Sequence, residues 1–318
     1  MRPPLRTTQV ETNRFFNSMR SRPFGIELPK QMPIFDRLMK HARHRLFLLS
    51  AAIAHGKRAP SIVVYPDFPS RKSALFKMCR SLKWELTNAP RTSPSVCIRF
   101  EDQTEKNKPM PPWFASYTVW NDQCLDIRKS TLENAHIHAF GHGMSVDPCK
   151  YHGTMVVKSE FNARHDGRAI QGPIKMSEKS TNSVYQLDIQ NTDKQGKYYD
   201  FRLAYIRGKI PVVYKKIKSA DTRFTNQCES AHLIAIDDAI SPIEVERTIR
   251  LMEKLHADYA ELDALRDASS GKLFIIDVNP TPWGPPSELP PEQQSKAVRL
   301  MAKAFEQAIL DQTTESIK

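Results

Sequence analysis

Three oxygen-bearing side chains near the C-terminal end of the chain offer the clearest chemistry. Asp263 ends the β-rich run Tyr259-Ala-Glu-Leu-Asp263, and Asp277 and Asn279 end the next one, which starts at Leu273. The turn-forming Asp267-Ala-Ser-Ser-Gly271 lies between the two runs. A tight hairpin there would bring Asp263 beside Asp277. The two-residue period of a strand points Asp277 and Asn279 to one face. Three converging oxygens suit a hard divalent cation, which completes its coordination with phosphate oxygens, so the set makes chemical sense beside a polyphosphate. The competing reading is that these residues simply end strands.

Basic residues recur upstream of these acids. Lys158 follows two valines in Gly153-Thr-Met-Val-Val-Lys158, and Lys129 closes Leu125-Asp-Ile-Arg-Lys129. An ammonium is a compact point charge suited to phosphate. Arg202 stands in Asp200-Phe-Arg202, where it could bind a phosphate bidentately or pair with a neighbouring Asp on a sheet face. Lys215 and Lys216 point to opposite faces of an extended strand, so only one of them can serve a site.

A strand ending in an acid, a short turn, and then Asp277-Val-Asn279-Pro280 on the next strand resembles the metal-binding signature of ATP-grasp enzymes. D-alanine-D-alanine ligase and the ribosomal-protein glutamate ligases belong to that group. Asp277 stands where most members have Glu. The resemblance implies Asp263, Asp277 and Asn279 as metal ligands, and Lys129 and Lys158 as contacts to nucleotide phosphates. It implies Gln186 and Leu187 as the hinge that reads the adenine edge, with Asp188 close to the ribose. Arg202 and Lys216 would act on the transferring phosphoryl group. Ser159 to Gly167 resembles the loop that folds over the phosphates. With its single glycine, that loop would rely on Asn162, Arg164 or His165. The proline-rich segment 280–286 is an ordered loop beside the metal, where Trp283 either contacts substrate or packs.

The elements that must hold these residues follow from hydrophobic periodicity. Helices are expected over Phe35 to Ala54, Ser70 to Leu86, Ile243 to His256 and Gln293 to Ile309. Strands are expected at Ser61 to Tyr65, Val96 to Phe100, Tyr117 to Trp120, Gly153 to Lys158, Val184 to Asp188, Asp200 to Ile206 and Ile210 to Tyr214, besides the two C-terminal runs. The last two of those strands form a hairpin around Arg207-Gly208-Lys209. The fold class is α/β (α+β). The resemblance implies an ATP-grasp architecture: an arm and helix over 1–60, an α/β subdomain over 61–125, a lid over 126–190, and a larger subdomain with the metal site over 191–318. His136, His138 and His142 look like metal ligands, but the helix expected from Ser130 separates the faces of His136 and His138.

Bulk properties agree with a folded body. The chain has 318 residues, 40% hydrophobic and 26% charged, and Lys and Arg outnumber Asp and Glu 47 to 35 for a net charge of +12. That excess calls for an anionic partner. Five scattered cysteines without a CxxC pair argue against a disulfide framework or a zinc knuckle and fit a reducing cytoplasm. No run of about 20 apolar residues suggests a membrane span. The basic first 60 residues lack the aromatic platforms or helix-turn-helix pattern of a nucleic-acid binder.

Function follows from the resemblance: ATP with magnesium or manganese activates a carboxylate for ligation to an amine, on small-molecule or peptide substrates. An ATP-grasp phosphotransferase and a non-catalytic basic binding module are the alternatives.

Overall fold

A computed structural model describes residues 60–88, 93–162, 164, 166–225 and 227–315, together with six helical residues between 39 and 53. The rest of the expected arm and of the helix over Phe35 to Ala54 lies outside the described residues, as does His165.

The N-terminal unit is a parallel sheet. Strand β1 (Ser61–Pro66) lies between β2 (Glu85–Thr87) and β3 (Val96–Phe100), and β4 (Val119–Trp120) adds to the far edge of β3. The β-branched Ile62, Val63 and Val64 are fully buried, as expected of a parallel strand covered on both faces. Helix α1 (Ala74–Leu82) crosses between β1 and β2. It is shorter than the helix expected over Ser70 to Leu86, because Lys83 turns left-handed at φ 57° and Glu85 to Thr87 pair with β1.

A small antiparallel sheet lies where the lid is expected, in the order β6 (Arg168–Gly172), β5 (Gly153–Ser159), β7 (Ser183–Leu187). Met155, Val157 and Tyr185 make its core. Strand alternation therefore sends Val156 and Lys158 to the other face.

The largest sheet runs β10 (Ser230–Ile234), β9 (Lys209–Lys218), β8 (Tyr198–Ile206), β11 (Tyr259–Arg266), β12 (Leu273–Asn279), all antiparallel. Arg207 at φ 37° and Gly208 at φ 76° make the two-residue turn between β8 and β9, a conformation whose twist matches that of the strands it joins.

One face of this sheet, including Phe201, Leu203, Leu262 and Ile275, packs under α2 (Lys129–Phe140) and α3 (Pro242–Lys254). Helix α2 thus joins the core of the larger sheet, although the sequence suggested that 126–190 forms the lid. Its low amphipathic contrast hides that attachment from periodicity, since Glu133 and His136 are buried with Leu132 and Ala135.

The other face is divided along the strands. Ala204, Ile206, Val212, Tyr214 and Tyr259 pack against the N-terminal unit and against α4 (Pro291–Glu315). On α4, Met301, Phe305 and Ile309 recur at helical spacing and are buried, each burial worth about 1.5–3 kcal/mol. Beyond that apolar half, the same face turns polar and meets the lid. Among the described residues no helix is long and apolar enough to cross a membrane.

Candidate functional site

The polar half of the large sheet is set by register. Asp263 pairs directly with Asp277, and Glu261 with Asn279, across the β11–β12 ladder. On the other side of β11, Asp263 pairs with Arg202, and one strand further Asp200 pairs with Lys216. Residues two apart share a face, so all these side chains belong to one surface. The structure therefore brings together the three expected metal ligands with Arg202 and Lys216.

Each acid in this surface is already matched with a base. Arg202 grips Asp263 bidentately, with Nε to Oδ1 at 2.7 Å and Nη2 to Oδ2 at 3.1 Å, and its Nη1 lies 3.5 Å from Glu261 Oε2. Burial opposes charge on all three groups. At Asp263, Arg202 and Lys216 outweigh burial and hold the carboxyl well below the usual range. At Arg202, Asp263 and Glu261 outweigh burial and keep the guanidinium protonated beyond its ordinary range. At Glu261 burial wins over Arg202 and pushes the carboxyl up to about 7. Lys129 pairs with Asp277 and also donates to Asn162 Oδ1 at 2.6 Å. Asp200 pairs with Lys218 at 2.6 Å, both nearly excluded from solvent.

Two lysines differ. Among the described residues, Lys158 and Lys216 have no carboxylate at ion-pair distance, whereas Lys129, Arg202, Lys218 and Arg223 each have one. Both line the cavity between lid and large sheet. Burial and the neighbouring Lys129 ammonium pull Lys158 down to about 8. Lys215 lies elsewhere, its ammonium 4.4 Å from the centre of the Tyr199 ring.

The inner wall of the cavity is apolar, built by Val156, Leu187, Ile189, Leu265 and Ile276. Gln186 and Leu187 line it too, but the Leu187 amide donates to the Met144 carbonyl at 2.7 Å. Glu133 fixes that neighbouring segment by accepting from the amides of Met144 and Ser145 at 2.8 and 2.9 Å. Asp188 does not line the cavity. Its Oδ1 is 2.6 Å from Arg223, and its Oδ2 accepts from Gln190 at 3.0 Å.

The loop after β5 closes one end. Phe161, Arg164, Asp166 and Gly167 line the cavity, while Asn162 turns to the carboxylate edge. Asn162 donates through Nδ2 to the Val278 carbonyl at 3.2 Å, and its amide donates to Thr104 Oγ1 at 2.9 Å. Opposite, Arg223 lies over Tyr198 and Phe224, and Lys218 holds the carbonyls of Arg223 and Thr225 at 3.3 and 3.0 Å.

The donor set of Asp263, Asp277 and Asn279 is all oxygen, as a hard cation requires, with an amide as its third member. Among the described residues no three His, Cys, Asp or Glu side chains form a cage by themselves. Asn279 Oδ1 accepts from the Thr281 amide at 2.9 Å, which fixes the orientation of its carboxamide. The residues fit a divalent ion that shares its coordination with an anionic ligand.

The histidines fill other roles. His136 is fully buried, stacked on Phe140 at 4.5 Å, with Nδ1 2.9 Å from the His142 carbonyl oxygen. His142 Nε2 is 3.1 Å from the Leu273 carbonyl oxygen.

Glu261, Asn162 and Arg223 were not singled out as chief site residues by sequence. Glu261 was within reach, because it stands two residues before Asp263 on the same strand. Arg223 follows no local pattern, since a long connection between β9 and β10 delivers it.

No protein-family model matches the sequence, and comparison with curated proteins gives no significant match. Solved structures do match. The ATP-grasp ligase PsnB, complexed with a phosphomimetic variant of its minimal precursor, Mg and ADP, aligns with a TM-score of 0.50 at 10% identity. That alignment covers 79% of this chain and 97% of that one. D-alanine–D-alanine ligase from Bacillus anthracis, complexed with ATP, aligns at 0.49 and 12% identity over 81% and 98%. A RimK domain ATP-grasp protein from Sphaerobacter thermophilus aligns at 0.43 and 10% over 79% and 99%. The fold of this chain is the ATP-grasp fold.

Proposed function

We propose that this chain binds ATP with a divalent cation and activates a substrate carboxylate as an acyl phosphate, which an amine then captures. The observation that carries this reading is the shared face of Asp263, Asp277, Asn279 and Lys216, with Lys158 across the cavity, neither lysine having an acidic partner among the described residues, next to an apolar slot.

Each part has a task in that chemistry. The apolar wall takes the base. Lys158 and Lys216 take phosphate oxygens, since an ammonium in a partly desolvated cavity attracts phosphate more strongly than it would in water. Asp263, Asp277 and Asn279 would hold magnesium or manganese, which when bound neutralises phosphate charge. Arg202 keeps Asp263 ionised and aligned, and Lys129 orients Asp277 through their ion pair.

In the reaction, a carboxylate oxygen attacks the γ-phosphorus while the bond to the bridging oxygen breaks and ADP leaves. The amine then attacks the acyl carbon, loses a proton, and expels phosphate. The protein supplies position and electrostatic complementarity, and no side chain acts as nucleophile.

The test is a screen of pooled carboxylic acids and amines for release of ADP and phosphate. Turnover that needs both an acid and an amine supports the ligase reading. A phosphorylated product that accumulates without any amine would establish a phosphotransferase instead.

A further inference from the structure

Trp283 is 59% exposed, although it lies on one of the best-anchored loops of the molecule. It pairs with Ser73 in an isolated bridge, the Ala74 amide donates to the Pro282 carbonyl at 3.1 Å, and Lys77 Nζ donates to the Gly284 carbonyl at 2.7 Å. Tryptophan is enriched at binding interfaces, where one part of the ring packs and the other meets a partner. The loop continues directly from the Asn279 strand end, where Thr281 bonds Asn279 and lies 3.1 Å from Asp102 Oδ1. A Cβ placed on Gly284 would stand 3.3 Å from Glu261 Oε1, so the loop packs on the carboxylate surface itself. The loop backbone therefore holds Trp283 next to the carboxylate surface, on the side of the N-terminal unit.

Its surroundings are basic. Lys72 Nζ stands 5.7 Å from the ring centre, and Arg71 and Lys72 are both exposed. Among the described residues neither has an acidic partner. An aromatic plane flanked by two uncompensated cations suits a ligand that presents carboxylates next to apolar or planar groups. The platform is open, whereas a small molecule is normally enclosed over most of its surface, which favours a chain that runs across the rim. A single ring gives no series of stacking platforms for a nucleic-acid strand.

We infer that Trp283, Lys72 and Arg71 form a docking platform for an acidic peptide segment, so that one substrate of the site is delivered on a polypeptide. This substrate class rests on the ligase reading, but the platform can be tested apart from it. The probe is fluorescein-labelled deca-glutamate, with deca-glutamine and an oligo-deoxythymidylate of similar length as comparisons, followed by fluorescence anisotropy on the full chain. Deca-glutamate should bind wild type, bind about tenfold more weakly to the Arg71→Glu/Lys72→Glu variant and to Trp283→Ala, and outcompete deca-glutamine. The exposed positions of all three residues make loss of fold an unsuitable explanation, and circular dichroism checks it.

The proposal is overturned if deca-glutamate fails to bind, if it binds wild type and both variants alike, if deca-glutamine matches it, or if the oligonucleotide binds more tightly with the same dependence on these residues. Asp277→Ala separates the two readings: it should keep peptide affinity and lose nucleotide turnover. Retained turnover in that variant would sink the ligase site while leaving the platform in place.

Discussion

Lys158 shows how the surroundings of one side chain translate into a measurable dependence. Burial and the nearby Lys129 lower its pKa to about 8, from 10.5 in the unfolded chain. At lower pH it is charged in both states. Between about 8 and 10.5 the folded protein has lost the proton and the unfolded chain has not, so the desolvation cost is relieved and stability rises with pH across that window. Phosphate recognition moves the opposite way, because only the protonated lysine attracts it. The kcat/KM for ATP should therefore fall as pH rises through about 8. Lys158→Arg should remove the decline, since guanidinium stays protonated. A wild-type profile flat to pH 10 would show that Lys158 does not bind phosphate. The charge types at the site were legible in sequence because strand alternation puts 277 and 279 on one face and a tight hairpin would set 263 beside 277. The partners were not legible. That Arg202 holds Asp263 and Lys129 holds Asp277 depends on ladder register and on a helix delivered from more than a hundred residues away.

At the scale of elements, strands β8 and β9 act as one rigid unit under the cavity. Their Asp200–Lys218 pair is almost fully buried, and Lys218 also caps the carbonyls of the connection that carries Arg223. Removing one member of a buried pair strands the other charge, so Asp200→Ala should cost about 3–5 kcal/mol. Urea unfolding reads that loss, and a change below about 1 kcal/mol would mean that water already screens the pair. Strands with buried β-branched runs, such as β1, were readable from composition. The edge strands β6 and β10 were not, because Arg168–Gly172 and Ser230–Ile234 have little apolar alternation and exist through pairing with a neighbour. The expected helix over Ser70 to Leu86 was too long for a related reason. Periodicity cannot foresee that Lys83 adopts a left-handed cap and frees Glu85 for the sheet.

For the molecule as a whole, the three sheets divide the work: a parallel sheet fixes the rim, the lid supplies Lys158, and the large sheet supplies the acids. Nine of the twelve net positive charges fall within residues 1–60, which leaves the remainder of the chain close to neutral. On the proposed reading, the cations that line the cavity and a metal on the acids together hold the anion. Calorimetric titration of ATP into wild type and Asp277→Ala, each with magnesium and with chelator, tests this most directly. Magnesium should strengthen ATP binding to wild type by about tenfold or more and should have little effect on the variant. If magnesium strengthens ATP binding equally in both proteins, the carboxylate surface of β11 and β12 is not the metal site.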